Sequence, residues 1–222
     1  MKDDVIKTFE EAVSEAETHI MEHQNGFPAL LLRLEKEFGE VPVPYEDEKT
    51  WTLFAEGRYV CPLFTPDYYK RIPRPKNMDE LTEYVGRGFF VDKTFTVSML
   101  CFQAFNVMDN EKRLRFREDV DAYFEEAFQI SHEEAQKVVR DIRNPVREEQ
   151  GKRELHALCV ERSASQKVED AFFHEIIRTR PTLSKHPVAT AYARKIYRLA
   201  YYQANYPEEY ERILVSIKLI AY

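Results

Sequence analysis

Apolar residues in the C-terminal half of this sequence recur at helical spacing, and prolines mark where one period stops and the next begins. Residues 207–221 place Tyr210, Ile213, Leu214, Ile217, Ile220 and Ala221 on one stripe, the i, i+3, i+4, i+7 pattern of an amphipathic helix. Tyr206-Pro207 separates that stripe from a helix over 187–205, and Arg180-Pro181 closes another over 166–179. Ser131-His132-Glu133-Glu134 has the form of a capping box and opens 132–143. Asn144-Pro145 then ends that helix and starts one running to about 163, with Asn as its cap and Pro at its first position. Helices that are apolar on one face must bury that face on one another. The expected fold class is therefore all-α, a multi-helix globular bundle.

The N-terminal half agrees in part. Val5, Phe9, Ala12, Val13, Ala16 and Ile20 form a stripe over 4–24, and Leu30, Leu31, Leu32 and Leu34 occupy a shorter helix over 28–38 that stops at Gly39. Helices are also predicted over 78–86 and 111–128, and over 92–109, which is apolar on all sides and reads as a central core helix. Six glycines in 222 residues are too few for a fold rich in hairpins and tight turns. The exception is 40–77, which holds six of the eleven prolines and reads as an irregular insertion. Within it Trp51–Phe54 and Tyr59–Phe64 flank Glu56-Gly57, a pattern compatible with a β-hairpin, and a ligand pocket against 92–109 is conceivable. The expected organisation is a single helical domain over 1–222, subdivided into acidic N-terminal helices at 1–39, the insertion at 40–77 and a helical core at 78–222.

The net charge of −7 is unevenly spread, since residues 1–50 carry 13 acids against 5 Lys and Arg. Such a front opposes nucleic acid, whereas the C-terminal part is free to attract it. Cys61, Cys101 and Cys159 are odd in number and far apart, so neither a disulfide framework nor a thiolate zinc site is expected. Met1-Lys2-Asp3-Asp4 leads into a charged helix rather than a signal peptide, and no apolar run approaches the roughly 20 residues that span a bilayer. A cytoplasmic location follows as the expectation, with no membrane contact.

Several chemistries lack their signatures. No phosphate-loop, dinucleotide-binding or nucleophile-elbow string is present. None of the six histidines has an acid three residues before it, as helical di-iron sites require. No cofactor is expected.

Three constellations remain. His19-Ile20-Met21-Glu22-His23 fits H-x-x-E-H, in which two histidines one helical turn apart bind zinc and the glutamate activates water. No acid lies near 95–100 to complete it, and a polar helix flank with His23 near the C-terminal dipole accounts for the string better. Asp121 to Arg140 has the apolar frame of a helix-turn-helix in Phe124, Phe128, Ile130, Ala135 and Val138, but Gln129 stands where a turn glycine belongs and Glu133-Glu134 would face phosphate. The third is Arg178, Arg180, Lys185, Arg194, Lys195 and Arg198, a basic run without an acid, interleaved with Tyr192, Tyr197, Tyr201 and Tyr202. Cations can hold phosphates and tyrosines can stack on unpaired bases. The same pattern also describes an amphipathic helix whose basic face meets an acidic surface, the N-terminal helix of its own chain included.

The expectation from sequence is a non-enzymatic regulatory or adaptor protein that works through protein contacts. Its binding face comprises Arg178, Arg180, Lys185, Arg194, Lys195, Arg198 and Tyr201, with nucleic acid as a further partner and the last helix available to pair with a second copy. The alternative is a metal-dependent hydrolase using His19, Glu22 and His23.

Overall fold

The computed structural model describes residues 8–22, 27–39, 41–59, 74–87, 115–174, 176 and 180–218. Among them the secondary structure is helical throughout, with no strand. The helix expected over 92–109 lies outside the described residues, as do Cys61 and Cys101. No described helix is long and apolar enough to cross a membrane. The chain divides into two compact units, one made of Met1–Val91 with Pro187–Tyr222 and the other of Asp92–His186.

The first unit contains α1 (Phe9–Glu22), α2 (Phe27–Phe38), α3 (Glu48–Glu56), α4 (Met78–Gly86), α9 (His186–Asn205, from Pro187 on) and α10 (Pro207–Lys218). Its core is the apolar face of α9, where Ala189, Ala193, Ile196, Tyr197, Leu199, Ala200 and Tyr202 are at most 1% exposed. Tyr210, Ile213 and Leu214 of α10 are buried too, and α10 packs on α2. Three positions of the stripe suited to a second copy are thus buried within the protein's own fold.

The hairpin expected within 40–77 is not formed among the described residues; Trp51–Phe54 lies inside α3 instead. The helix has clear ends. Asp47 caps it by accepting from Thr50 N–H at 2.9 Å, and Gly57 closes it in the left-handed region at φ 67°. Leu53 and Phe54 turn inward, and Trp51 lies tilted against Tyr197 with ring centroids 4.8 Å apart. The six prolines fall as 42 and 44, then 62, 66, 73 and 75, so the stretch between the groups is long enough for a helix. Tyr197 also ties down the approach to α3, donating to Pro44 O at 2.9 Å and accepting from Asp47 N–H at 3.2 Å. Burial pushes its phenol up to about 12.

The second unit contains α5 (Arg117–Phe128), α6 (His132–Arg143), α7 (Glu148–Glu161), α8 (Gln166–His174) and a 3-10 turn at Arg180–Thr182. Val120, Phe124, Phe128, Ala135, Val138, Ile142, Leu155 and Phe172 form one apolar cluster, against which Ile130 packs. The capping box of α6 is present: Ser131 Oγ accepts from Glu134 N–H, and Glu134 accepts from Ser131 N–H at 2.9 Å. Gln129 sits at φ 52°, so the α5–α6 corner makes the left-handed demand of a helix-turn-helix without using glycine. The helix expected from Pro145 begins later, at Glu148. Asn144 instead closes a turn on itself, its side chain accepting from Val146 N–H and its carbonyl from Arg147 N–H at 2.8 Å. Gly151 lets α7 reach α6 at that turn, because a Cβ there would fall 2.9 Å from the Asp141 carbonyl carbon and closer still to Ile142 N.

Candidate functional site: an arginine cleft in the second unit

The basic run singled out by sequence is split by the fold. Arg178 and His23 lie outside the described residues. Arg194, Lys195 and Arg198 belong to the first unit, on the flank of α9 that faces the acidic N-terminal helices. Arg194 donates from both terminal nitrogens to Glu10, each at 3.1 Å. Lys195 Nζ stands 3.8 Å from Glu17, and Arg198 Nε 2.9 Å from Glu35. Glu37 of α2 meets Arg212 of α10 in the same way. The excess acid of residues 1–50 therefore neutralises the basic face of α9 from within. Of the interleaved tyrosines, Tyr197 and Tyr202 are fully buried, which removes them as stacking platforms, and Tyr201 is half-buried.

His19 and Glu22 face one another on the exposed flank of α1, Nδ1 to Oε2 at 3.3 Å. Among the described residues no group of three acids, histidines or cysteines is gathered as a metal site would need.

Arg180 and Lys185 have a different setting. Together with Arg117 at the start of α5 and Arg140 and Arg143 at the end of α6, they line a half-open cleft of about 630 Å3. Four guanidiniums and one ammonium thus face two carboxylates, Glu118 and Asp121. Those two are already engaged. Asp121, 4% exposed, takes a two-pronged grip from Arg180 at 2.7 and 2.8 Å, and Glu118 accepts from His186 N–H at 3.1 Å. The bond to Asp121 raises the Arg180 pKa, in keeping with a permanently charged anchor. Arg117 is steadied as well: its Nε donates to Leu183 O at 2.6 Å, and its backbone N–H to Ser184 O at 3.1 Å. Both fixed arginines therefore keep terminal N–H groups without a partner.

Among the described residues Arg140 and Arg143 have no acid partner. They sit three residues apart on the solvent stripe of α6, where cations in a last turn meet the negative end of the helix dipole. The dipole explains two cations on one helix. It does not explain why arginines from three elements converge. Partial burial of its guanidinium, then the charges of Arg180 and Arg117, hold Arg143 below the usual arginine value, while Asp121 opposes them. Like charges brought this close, and outnumbering the carboxylates among them, make an anion-binding arrangement, since an incoming anion relieves their repulsion.

Sequence reading singled out Arg180 and Lys185 as binding residues but not Arg117, Arg140 or Arg143. The i, i+3 spacing of Arg140 and Arg143 is a local signal; their convergence with Arg117 and Arg180, distant in sequence, is not. No protein-family model matches this chain, and comparison with curated proteins gives no significant match.

Proposed function

We propose that this chain is a non-enzymatic regulatory or adaptor protein that recognises an anionic group in the arginine cleft of its second unit. The observation that carries this reading is the cleft's composition: among the described residues five cations face two carboxylates that are both already bonded, and Arg140 and Arg143 have no acid partner. The site has positively charged donors and a concave shape. Among the described residues its lining has no histidine, cysteine or hydroxyl to serve as a nucleophile or as a base near neutral pH, which favours binding over turnover.

General affinity for nucleic acid does not account for the cleft. Residues 92–186 carry 16 Lys and Arg against 18 Asp and Glu, so the cations are concentrated rather than in excess. On α9, a nucleic acid would have to displace Glu10, Glu17 and Glu35 to reach Arg194, Lys195 and Arg198.

Side-chain NMR of the arginines tests the proposal. At constant ionic strength, replacing chloride by multivalent anions is expected to shift the Nε–Hε signals of Arg117, Arg140, Arg143 and Arg180 saturably and to leave that of Arg33 in place. The bound anion should persist unchanged. No saturable shift, or an equal shift at Arg33, refutes recognition at this cleft; conversion of the anion refutes the non-enzymatic reading.

A further inference from the structure

The walls of the arginine cleft narrow the choice of anion. Among the described residues Val139 is their one aliphatic side chain and no aromatic ring lines them, so these offer nothing to a base, a sugar face or an acyl chain. The other contributors besides the cations are the amides of Gln136 and Asn144 and the two engaged carboxylates. A volume of about 630 Å3 is larger than a single carboxylate or phosphate fills.

The donors are also arranged in two tiers. Arg180 and Arg117 are each held on one edge, by Asp121 and by the Leu183 carbonyl, and present their remaining terminal N–H groups from fixed positions. Arg140 and Arg143 stand one turn apart on α6 without acid partners, and Lys185 is exposed at the rim. The planar guanidinium fork matches two oxygens of a phosphate, and neighbouring forks match neighbouring phosphates. With five cations against two carboxylates, the described lining has an excess of three positive charges. One carboxylate would leave most of that excess uncompensated, whereas two or three linked phosphates would meet it.

We infer that the cleft takes a compact polyphosphate, a ligand with two or more adjacent phosphate groups recognised through the phosphates alone; this rests on reading the cleft as an anion site. The fixed pair Arg117 and Arg180 would seat one phosphate, and Arg140 and Arg143 would close on the next.

Calorimetric titration of the full-length protein, at matched ionic strength, tests it with inorganic tripolyphosphate, orthophosphate and citrate as probes. Tripolyphosphate is expected to bind at least about tenfold more tightly than either of the others, the scale of one additional charge-assisted hydrogen bond. Arg143→Gln, and separately Arg140→Gln, should each weaken it by about tenfold, and Lys36→Gln, an equal charge change on exposed α2, should not. Circular dichroism melts of each variant verify folding, and two independent cleft variants keep the test sharp should one fail to fold. A nucleoside triphosphate should bind no more tightly than tripolyphosphate; markedly tighter binding would mean that the base is read, and overturns recognition by phosphate alone. Citrate binding as tightly as tripolyphosphate overturns the polyphosphate assignment and leaves anion recognition intact. Absence of binding by all three probes, or an equal loss in Lys36→Gln, overturns both.

Discussion

Arg194 and Glu10 lie 184 positions apart in sequence and close on one another through two parallel hydrogen bonds of 3.1 Å each. The pair is the outermost of the contacts by which α1 and α2 cover the basic flank of α9. Arg194 holds the Glu10 carboxyl below the usual carboxylate value, first through the hydrogen bond and then through its charge. A carboxylate with a lowered folded pKa contributes stability above its unfolded value, and the contribution disappears as pH falls through the folded value. Arg194→Glu should therefore lower the melting temperature near pH 7, and adding Glu10→Arg should recover part of the loss. Equal melting temperatures for the single and double variants would show that the pair does not couple.

Tyr197 should be the best-protected phenol of the first unit. Its folded pKa is raised to about 12 by burial, so stability is complete below the unfolded value near 10 and declines as pH rises from there toward 12. Tyr197→Phe removes the bonds to Pro44 O and Asp47 N–H and should cost about 1–2 kcal/mol, while flattening that alkaline decline. Urea melts of both proteins at pH 8 and pH 11 provide the comparison. An unchanged alkaline decline in the variant would assign it to another group.

Ser131→Ala should destabilise the second unit by about 1 kcal/mol through loss of the α6 cap. Glu134, whose carboxyl is held low by its hydrogen bonds from Ser131, backbone first, should move only part of the way back toward its ordinary value, because alanine keeps the backbone N–H and removes the hydroxyl. Carboxyl-detected NMR across pH 3–6 would show it. An unmoved Glu134 titration would mean that the Ser131 hydroxyl does not bond to it in solution.

Gly151→Ala puts helix propensity and packing in opposition. Alanine is favoured over glycine inside an exposed helix by about 0.5–1 kcal/mol. Here its methyl would enter the backbone of Asp141 and Ile142, and a net destabilisation of about 1–3 kcal/mol is expected. A variant as stable as the parent would show that α7 can slide away from α6 at little cost.

Where punctuation was local, the sequence was legible. Asn77 with Met78–Gly86 and Ser131 with His132–Arg143 appear where cap chemistry places them. The α3 helix was obscured because prolines on both sides were read as one irregular stretch, although Asp47, Thr50 and Gly57 carry the signals of a helix start and stop. Asn144-Pro145 misled in the other direction, since an Asn side chain can close a turn as well as cap a helix, and the three-residue difference is settled by Arg147. The cleft could not be read locally at all. Arg117, Arg140, Arg143 and Arg180 are each unremarkable in their own segments, and what matters is that helix packing brings them to one concavity. The covering of Arg194 and Arg198 by Glu10 and Glu35 is equally nonlocal, and charge segregation along the chain was its only trace.

The first unit is assembled from two stretches separated by the whole of the second, and this has a consequence for the order in which the protein is made. On the ribosome, α1 to α4 emerge with their apolar faces uncovered and must wait for α9, while residues 92–186 are all out beforehand and can mature without it. The N-terminal helices thus spend that interval as unsatisfied acidic, amphipathic segments. Nascent chains stalled with residue 186 just clear of the tunnel should accordingly be cleaved within α1 to α4, and that cleavage should vanish once α9 has followed.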